Sequence, residues 1–421
     1  VVNLAPADLR KQGWDYDLPI ALAILAADRR IEVMPAMVAA GELALDGDLR
    51  SSGNALAASV LGARLGLPTL VAQEPAGRVA TVEGSRVFAP GDLREAIELV
   101  ADGLISEPMK PDIGSIDESE VPDLTDVAGQ AIARRALEIA DTSGHHLLLH
   151  GPPGAGKTML AQRMPGILPR LRPAEAVEVA LIRSNAGIGE ELSAVPPIRS
   201  PHHTATRAAL VGGGSGLPTP GEISLAHRGV LFLDELAEFP RSHLDALRQP
   251  LEEGRVVISR QGATVSFPAS FQLVAATNPC PCGYWGDRRR PCSCPPAMRE
   301  RYRTRVSGPL LDRFDLSVGV RALSPAEYGS KRAESSAAVA ARVSSARGIQ
   351  RDRGRLNRDQ AEVTIDAAAR AFLVEAIDRG AITARGAAKI QRVARTIADL
   401  AAESRVREEH VAEALALRGG W

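Results

Sequence analysis

Three short apolar runs in the second half of the chain end abruptly on polar residues. Leu147-Leu148-Leu149 runs into His150-Gly151, Val230-Leu231-Phe232-Leu233 into Asp234-Glu235, and Leu273-Val274-Ala275-Ala276 into Thr277-Asn278. Unbroken apolar runs of this length predict strands buried on both faces, as in a parallel sheet. Met159 to Arg163 is compatible with a helix, and Ser242 to Glu253 reads as another. Arg255 to Ser259 and Ala263 to Phe267 are β-rich and flank Arg260-Gln261-Gly262, which predicts a hairpin with Arg260 near its tip. From 324 to 421 the pattern turns helical. Ser324-Pro325-Ala326-Glu327 resembles a helix start, and Ala387, Ile390, Val393, Ala394, Ile397 and Leu400 form one apolar stripe.

The front of the chain mixes both periods. Val2-Asn3-Leu4, Glu42 to Leu45 and Leu67 to Ala72 predict strands, and Leu18 to Arg29 and Ala55 to Leu65 predict helices. Gly91-Asp92 caps a further helix with Leu93, Ala96, Ile97 and Val100 on one face. A stretch with Pro108, Pro111 and the acidic Asp117-Glu118-Ser119-Glu120 separates the two apolar blocks. Asp123 to Gln130 then leads into a helix with Ile132, Ala136, Ile139 and Ala140 on one side. The expected organisation is an α+β or α/β domain over 1–105, a linker over 106–122, an α/β core over 123–322 and a helical domain over 323–421. The chain opens on Val1 in what reads as a strand, without a methionine, which predicts an upstream segment.

Chemistry concentrates at the strand ends. Gly151-Pro152-Pro153-Gly154-Ala155-Gly156-Lys157-Thr158 reads G-x-x-x-x-G-K-T between a predicted strand and a predicted helix, the setting a phosphate-binding loop requires. Its glycines let backbone N–H groups curl around phosphates, and the helix N-terminus adds partial positive charge. Lys157 would reach the β/γ oxygens of ATP and Thr158 would hold Mg²⁺. Asp234 would be the second Mg²⁺ ligand, and Glu235 would polarise the attacking water, which implies hydrolysis and not binding alone. Asn278 is placed to orient that water. His202 and His203 are adjacent and so point in different directions on a regular element, which disfavours a shared metal; with Gly212-Gly213-Gly214 they suggest a projecting loop.

Composition adds charge and metal chemistry. Residues 1–120 hold 10 Lys/Arg against 19 Asp/Glu, and the remainder 40 against 32, so a polyanion would meet the second half. The longest apolar stretch, Ile20 to Ala27, is too short to span a bilayer, and no signal peptide is seen, which gives an expectation of a cytoplasmic protein without a membrane partner. All four cysteines lie between 280 and 294, which argues against a disulfide framework and for a reducing compartment. Cys280, Cys282, Cys292 and Cys294 could ligate a structural Zn²⁺, although C-x-C is not the usual pair; reduced free thiols are the alternative. Between 280 and 305, Arg288, Arg289, Arg290, Arg299, Arg301, Arg303 and Arg305 stand against Asp287 and Glu300. With Tyr284 and Trp285 available to stack on bases, this segment and Arg260 are the candidate DNA contacts.

Several segments carry family resemblances. Ala5 to Lys11, Asp17 to Leu22 and Gly41-Glu42-Leu43 with Gly47 resemble the proteolytic domain of Lon-type proteases. That family places its serine in G-P-S-A-G and its lysine in G-G-x-K; here Gly13-Trp14-Asp15-Tyr16-Asp17 and Ser52-Gly53-Asn54-Ala55 take those places, so a Ser–Lys dyad is missing. Asp123 to Gln130 resembles the segment that leads into AAA+ ATPases, which implies that Val127 to Gln130 lies against the adenine. Gly221 to Glu235, the hairpin and Thr277 to Gly283 resemble the magnesium-chelatase-like AAA+ proteins, and among them the ComM/YifB group, which joins a Lon-like front to such a motor. The implied fold is α/β: an AAA+ P-loop core with a helical lid, preceded by a Lon-protease-like α+β domain. The resemblance also implies that Arg313, in Leu310-Leu311-Asp312-Arg313-Phe314-Asp315, is an arginine finger toward a neighbouring subunit, and that Arg385, in Ile382-Thr383-Ala384-Arg385-Gly386, touches the nucleotide from the lid. It implies a homo-hexameric ATPase acting on branched or single-stranded DNA, as a branch-migration helicase of natural transformation. A chelatase-type motor that remodels a protein partner for metal insertion shares every nucleotide motif and is the alternative. An ATP-dependent protease conflicts with the missing dyad.

Overall fold

The structure is a computed structural model that describes residues 1–4, 13–51, 53–74, 76–111, 121–214, 217–260, 263–287, 289–324, 327, 333–359, 363–380 and 382–419. The chain forms two compact units, Val1–Asp117 with Leu171–Ala194, and Glu118–Arg170 with Val195–Trp421. Residues 5–11 of the Lon-like stretch, Ser52, the acidic part of the linker, Gln261, Gly262, Arg288, Pro325 and Ala326 lie outside the described residues.

The first unit is built on a small parallel sheet in the order β1 (Val38–Ala40), β2 (Thr69–Val71), β3 (Val87–Phe88). Glu42–Leu43 pairs separately and antiparallel with Leu49–Arg50. Helices Asp17–Ala27, Ala55–Leu65 and Leu93–Ala101 match the expected ones, and the Asp92 carboxylate accepts from the Glu95 N–H to cap the third. Leu18, Leu22, Leu70, Phe88, Ala96 and Val100 form its main core. Val2-Asn3-Leu4 is not a strand: these residues are exposed and pair with nothing described, because three β-compatible residues form a strand only where a ladder partner exists. Leu171–Ala194 joins this unit although it follows the phosphate loop in sequence. Its helix Pro173–Asn185 buries Val177 and Ala180 against Leu56, and the Leu171 N–H donates to the Ala194 carbonyl at 2.7 Å, closing the neck of the excursion.

The second unit contains β4 (Leu147–His150), β5 (Ile198–Arg199), β6 (Val230–Leu233), β7 (Gln272–Thr277) and β8 (Leu316–Gly319), all parallel in the order β8-β4-β7-β6-β5. The predicted apolar runs are its three central strands. Alternate residues face opposite layers. Leu147, Leu149, Phe232, Val274 and Leu316 pack with helix Ala131–Ser143 and the C-terminal helices. Leu148, Leu231, Leu233, Leu273 and Ala275 pack with residues from Leu210 to Phe271 and from Tyr302 to Phe314. Both faces are covered, as continuous apolar strands require.

The expected helix over Ser242 to Glu253 is two short ones, Arg241–Asp245 and Arg248–Glu253, with Pro250 inside the second, where its ring restricts the preceding turn. The hairpin forms as expected: Arg255 pairs with Pro268 and Arg260 with Ala263, so Arg260 is the last paired position of its arm. The C-terminal segment holds helices Ser336–Asp352, Ala367–Asp378, Ala384–Leu400 and Glu408–Ala416, and they share one buried cluster with the sheet. Among the described residues no helix is long and apolar enough to cross a membrane.

A buried polar network ties these helices to the core. Thr396 Oγ1 lies 2.9 Å from Ser143 Oγ and 2.8 Å from His145 Nε2, and the Asn357 side chain donates to Thr396 and Asp399. Asp399 also pairs with Arg353 and Arg395. Removing it would leave two cations without their partner. Asp399→Ala should therefore destabilise the second unit by about 3 kcal/mol in denaturant unfolding; a loss below about 1 kcal/mol, the scale of an exposed pair, would show that the network adds little.

Candidate functional site

The carboxyl ends of β4, β6 and β7 bring the predicted residues together. The loop after β4 begins at Gly151, where a Cβ would lie 1.9 Å from the Val320 carbonyl oxygen, so no larger residue fits. Gly156, at φ +93°, turns the chain into the helix Lys157–Ala161. Lys157 is buried, and its ammonium donates to the carbonyls of Gly151 (2.7 Å) and Pro152 (2.9 Å) and to Asn278 Oδ1 (3.1 Å). Burial pulls its pKa down to about 8, against the opposing pull of the Asp234 and Glu235 carboxylates.

The Thr158 hydroxyl donates to Asp234 Oδ2 at 2.6 Å. A hydroxyl and a carboxylate side by side are hard oxygen donors that suit Mg²⁺. The Asp234 Oδ1 accepts from the Glu235 N–H at 2.9 Å. Glu235 itself adopts φ +52°, a strained conformation for a non-glycine residue, which turns the carboxylate out of the strand line. Its Oε2 lies 3.1 Å from His203 Nδ1, while His202 Nδ1 turns to the Thr204 hydroxyl at 2.8 Å. The two histidines take different partners, yet their rings do not point apart as adjacency suggested: the centroids lie 4.1 Å from each other with the planes tilted by 34°. The sequence reading missed that one of them meets Glu235, since the link joins residues far apart in the chain; a polar loop placed between the two nucleotide motifs was the available signal.

Gln130 is buried in a left-handed conformation at φ +54°, and its side-chain amide donates to the carbonyls of Ala155 (3.1 Å) and Arg321 (2.6 Å). It thus braces the phosphate loop directly. Val127 belongs to the core cluster. Arg313 pairs with Glu252 of its own chain. Arg385 is exposed in the first turn of Ala384–Leu400, and among the described residues no hydrogen bond or ion pair joins it to the phosphate loop.

The arginine-rich segment is more self-contained than expected. Arg290 lies over the Tyr284 ring at 5.0 Å and donates to its hydroxyl, and Arg299 and Arg303 approach the Trp285 ring at 5.3 and 5.8 Å. The rings are therefore partly covered by cations, so stacking on a base would have to displace an arginine. The N–H groups of Arg289 and Arg290 donate to Asp287. The four cysteine sulfurs all lie within 4.8 Å of one another. In the first unit the Asn54 side chain donates to Asp15 Oδ2 at 2.6 Å.

A parallel five-stranded sheet with a phosphate loop, acidic strand end and polar strand end along one edge is the arrangement of an AAA+ ATPase. The family model for magnesium chelatase, subunit ChlI, matches residues 123–328, its C-terminal model residues 333–418, and the model for subunit ChlI of Mg-chelatase residues 1–74. The chain is 42% identical over 433 residues to the uncharacterized protein YifB of Salmonella typhimurium, covering 99% of this chain and 84% of that one. It is 41% identical over 436 residues to competence protein ComM of Haemophilus influenzae, covering 99% and 85%. Lon protease 2 of Bacillus subtilis is 29% identical over 199 residues, 42% of this chain and 34% of its own length. The chain belongs to the magnesium-chelatase-like ComM/YifB family of AAA+ ATPases. Family membership implies ATP and Mg²⁺, and Lys157, Thr158 and Asp234 fit them.

The position of Lys157 predicts a pH dependence. Phosphate oxygens favour the ammonium, so nucleotide binding takes up a proton wherever Lys157 is otherwise neutral. Affinity should stay level up to pH values near the lysine's pKa of about 8 and fall above it by up to roughly tenfold per pH unit. Titration of a fluorescent ATP analogue across that range checks this, and level affinity into the alkaline range would refute it.

Proposed function

We propose that the chain is an ATP-hydrolysing ring motor that acts on DNA, as a branch-migration helicase. The observation that carries hydrolysis is Glu235, held on a strained backbone immediately after the Thr158–Asp234 pair and half exposed. In this reading Lys157 holds the terminal phosphates and Asn278, already on the Lys157 ammonium, orients the water. Mg²⁺ on Thr158 and Asp234 supplies charge neutralisation at the phosphates. Glu235 draws a proton from the attacking water.

Arg313 supports a ring. Its guanidinium pairs with Glu252, and in the proposed assembly it serves the nucleotide of a neighbouring copy, with Arg385 reaching its own nucleotide from the helical lid. The family resemblance supports a ring of six copies. DNA is supported by the basic second half, the hairpin with Arg260 at the end of its arm, and the arginines near Trp285. Arg289 and Arg290 are the described candidates there, and Arg288 stands with them in sequence. The relative named a competence protein is consistent with this. A protein-remodelling motor of the chelatase type is the second reading, favoured by a 26% identity over 157 residues to the magnesium-chelatase 67 kDa subunit of Chlorobaculum parvum.

Glu235→Gln should keep nucleotide affinity and lose turnover by about 10²-fold or more; unchanged hydrolysis would remove Glu235 from its role. Turnover of the unsubstituted protein should rise with branched or single-stranded DNA and lose that stimulation as salt increases. Brisk hydrolysis indifferent to all DNA would favour the chelatase-type reading.

A further inference from the structure

The cysteine cluster lies directly beside the nucleotide site. Sγ separations are 3.4 Å for Cys280–Cys282, 3.7 Å for Cys280–Cys292 and 3.6 Å for Cys282–Cys292, and Cys294 is within 4.8 Å of all three. These are far beyond a disulfide bond of about 2.05 Å. A tetrahedral zinc site with Zn–S arms of about 2.3 Å has sulfur–sulfur edges of about 3.8 Å, close to the spacing seen. Two backbone groups already serve the sulfurs: the Cys282 N–H points to Cys294 Sγ and the Cys294 N–H to Cys292 Sγ, both at 3.4 Å. Such bonds orient ligands around a metal.

The same segment touches the phosphate loop at three points. The Thr277 carbonyl accepts from the Gly151 N–H at 3.2 Å, and Asn278 accepts from Lys157. The third contact is Gly283, the residue after Cys282. The Gly283 N–H donates to the Cys280 carbonyl at 2.9 Å, closing a turn, and at φ +84° its missing Cβ would lie 2.5 Å from Pro153 Cδ. The turn that carries two of the four sulfurs is therefore seated on the loop that would hold the phosphates. Nothing in the chemistry of hydrolysis needs four sulfurs there.

We propose that Cys280, Cys282, Cys292 and Cys294 bind a single zinc ion, and that this ion fixes the Cys280–Gly283 turn against Pro153 so that nucleotide affinity depends on the metal. The coupling rests on the reading of the phosphate loop as an ATP site; the metal site does not. Without the ion the four sulfurs no longer tie Cys280–Gly283 to the Cys292–Cys294 segment, and the support behind Lys157 and Asn278 loosens. With it, three fixed points define the loop before nucleotide arrives, which lowers the ordering cost of binding.

The test uses the full chain, purified under reducing conditions with zinc supplied. Elemental analysis should find one zinc per chain, and cobalt in its place should give the visible absorption of a tetrahedral thiolate site. Cys292→Ser with Cys294→Ser should abolish both and weaken binding of a fluorescent ATP analogue by about tenfold. Gly283→Ala keeps the four ligands and should hold its zinc, yet weaken the analogue by about tenfold through the strained turn and the contact with Pro153. That variant separates the coupling from any folding defect of the cysteine variant. Absence of stoichiometric zinc, or cobalt without thiolate absorption, overturns the metal site while leaving the ATPase reading intact. Zinc that can be removed by a chelator with unchanged nucleotide affinity overturns the coupling. Stoichiometric zinc in a protein that neither binds nor hydrolyses ATP overturns the ATPase reading and the coupling together, and leaves the metal site standing.

Discussion

Neighbouring strands of a parallel sheet end on the same edge, and the whole nucleotide site depends on that constraint. Thr277 is the register partner of His150, so the phosphate loop and Asn278 leave the sheet side by side. Leu233 pairs with Ala275, two residues short of Thr277, so Asp234 and Glu235 emerge one step deeper. That offset is what lets Thr158, in the first turn after the loop, meet Asp234 at 2.6 Å from above. A slip of one residue would turn an apolar strand's side chains to opposite faces and would separate the two oxygen donors. The apolar packing on both faces of the sheet therefore fixes the polar chemistry at its edge.

Local pattern carried much of this. The three central strands, the hairpin and most helices were legible because each satisfies its own period or turn chemistry, and the residues at the strand ends inherit their positions from them. What stayed hidden depends on contacts between distant segments. The strands Val38–Ala40 and Val87–Phe88 are too short to show alternation. The excursion Leu171–Ala194 has an ordinary amphipathic helix, and its membership of the first unit is decided by Val177 and Ala180 finding Leu56. Val2-Asn3-Leu4 has strand composition but no ladder partner among the described residues. His203 beside Glu235 and Arg313 beside Glu252 are pairings that no spacing encodes. The cysteines were visible as a group, but their seat on Pro153 depends on a single absent Cβ at Gly283.

The arginine-rich segment shows how charge counted in sequence can overstate what a surface offers. Seven arginines near two aromatic rings suggested a stacking platform. In the structure Arg290 uses Tyr284, Arg299 and Arg303 use Trp285, and Arg305 pairs with Glu238. Cation–π contacts at exposed rings contribute about 0.5–1 kcal/mol each, so a polyanion could draw these guanidinium groups away at modest cost. Their worth to DNA would then lie in phosphate contacts, which position a strand, more than in base stacking.

The same logic applies inside the site. Lys157 is satisfied by Gly151, Pro152 and Asn278, Thr158 by Asp234, Glu235 by His203 and Arg313 by Glu252. Each of these four groups already has a partner within the chain. Nucleotide binding must exchange those partners, and only the surplus over them contributes to affinity. The exchange is cheapest where a partner keeps a second role, as Asn278 does on Lys157 and Asp234 on Thr158, since both would stay beside the phosphates. It costs more where the partner must be left, as with His203 and Glu252. Among the residues proposed to act in hydrolysis, Glu235 and Arg313 are thus the two that would have to leave a partner, and a change in the loop that carries His203, or the arrival of a neighbouring copy, would favour their release.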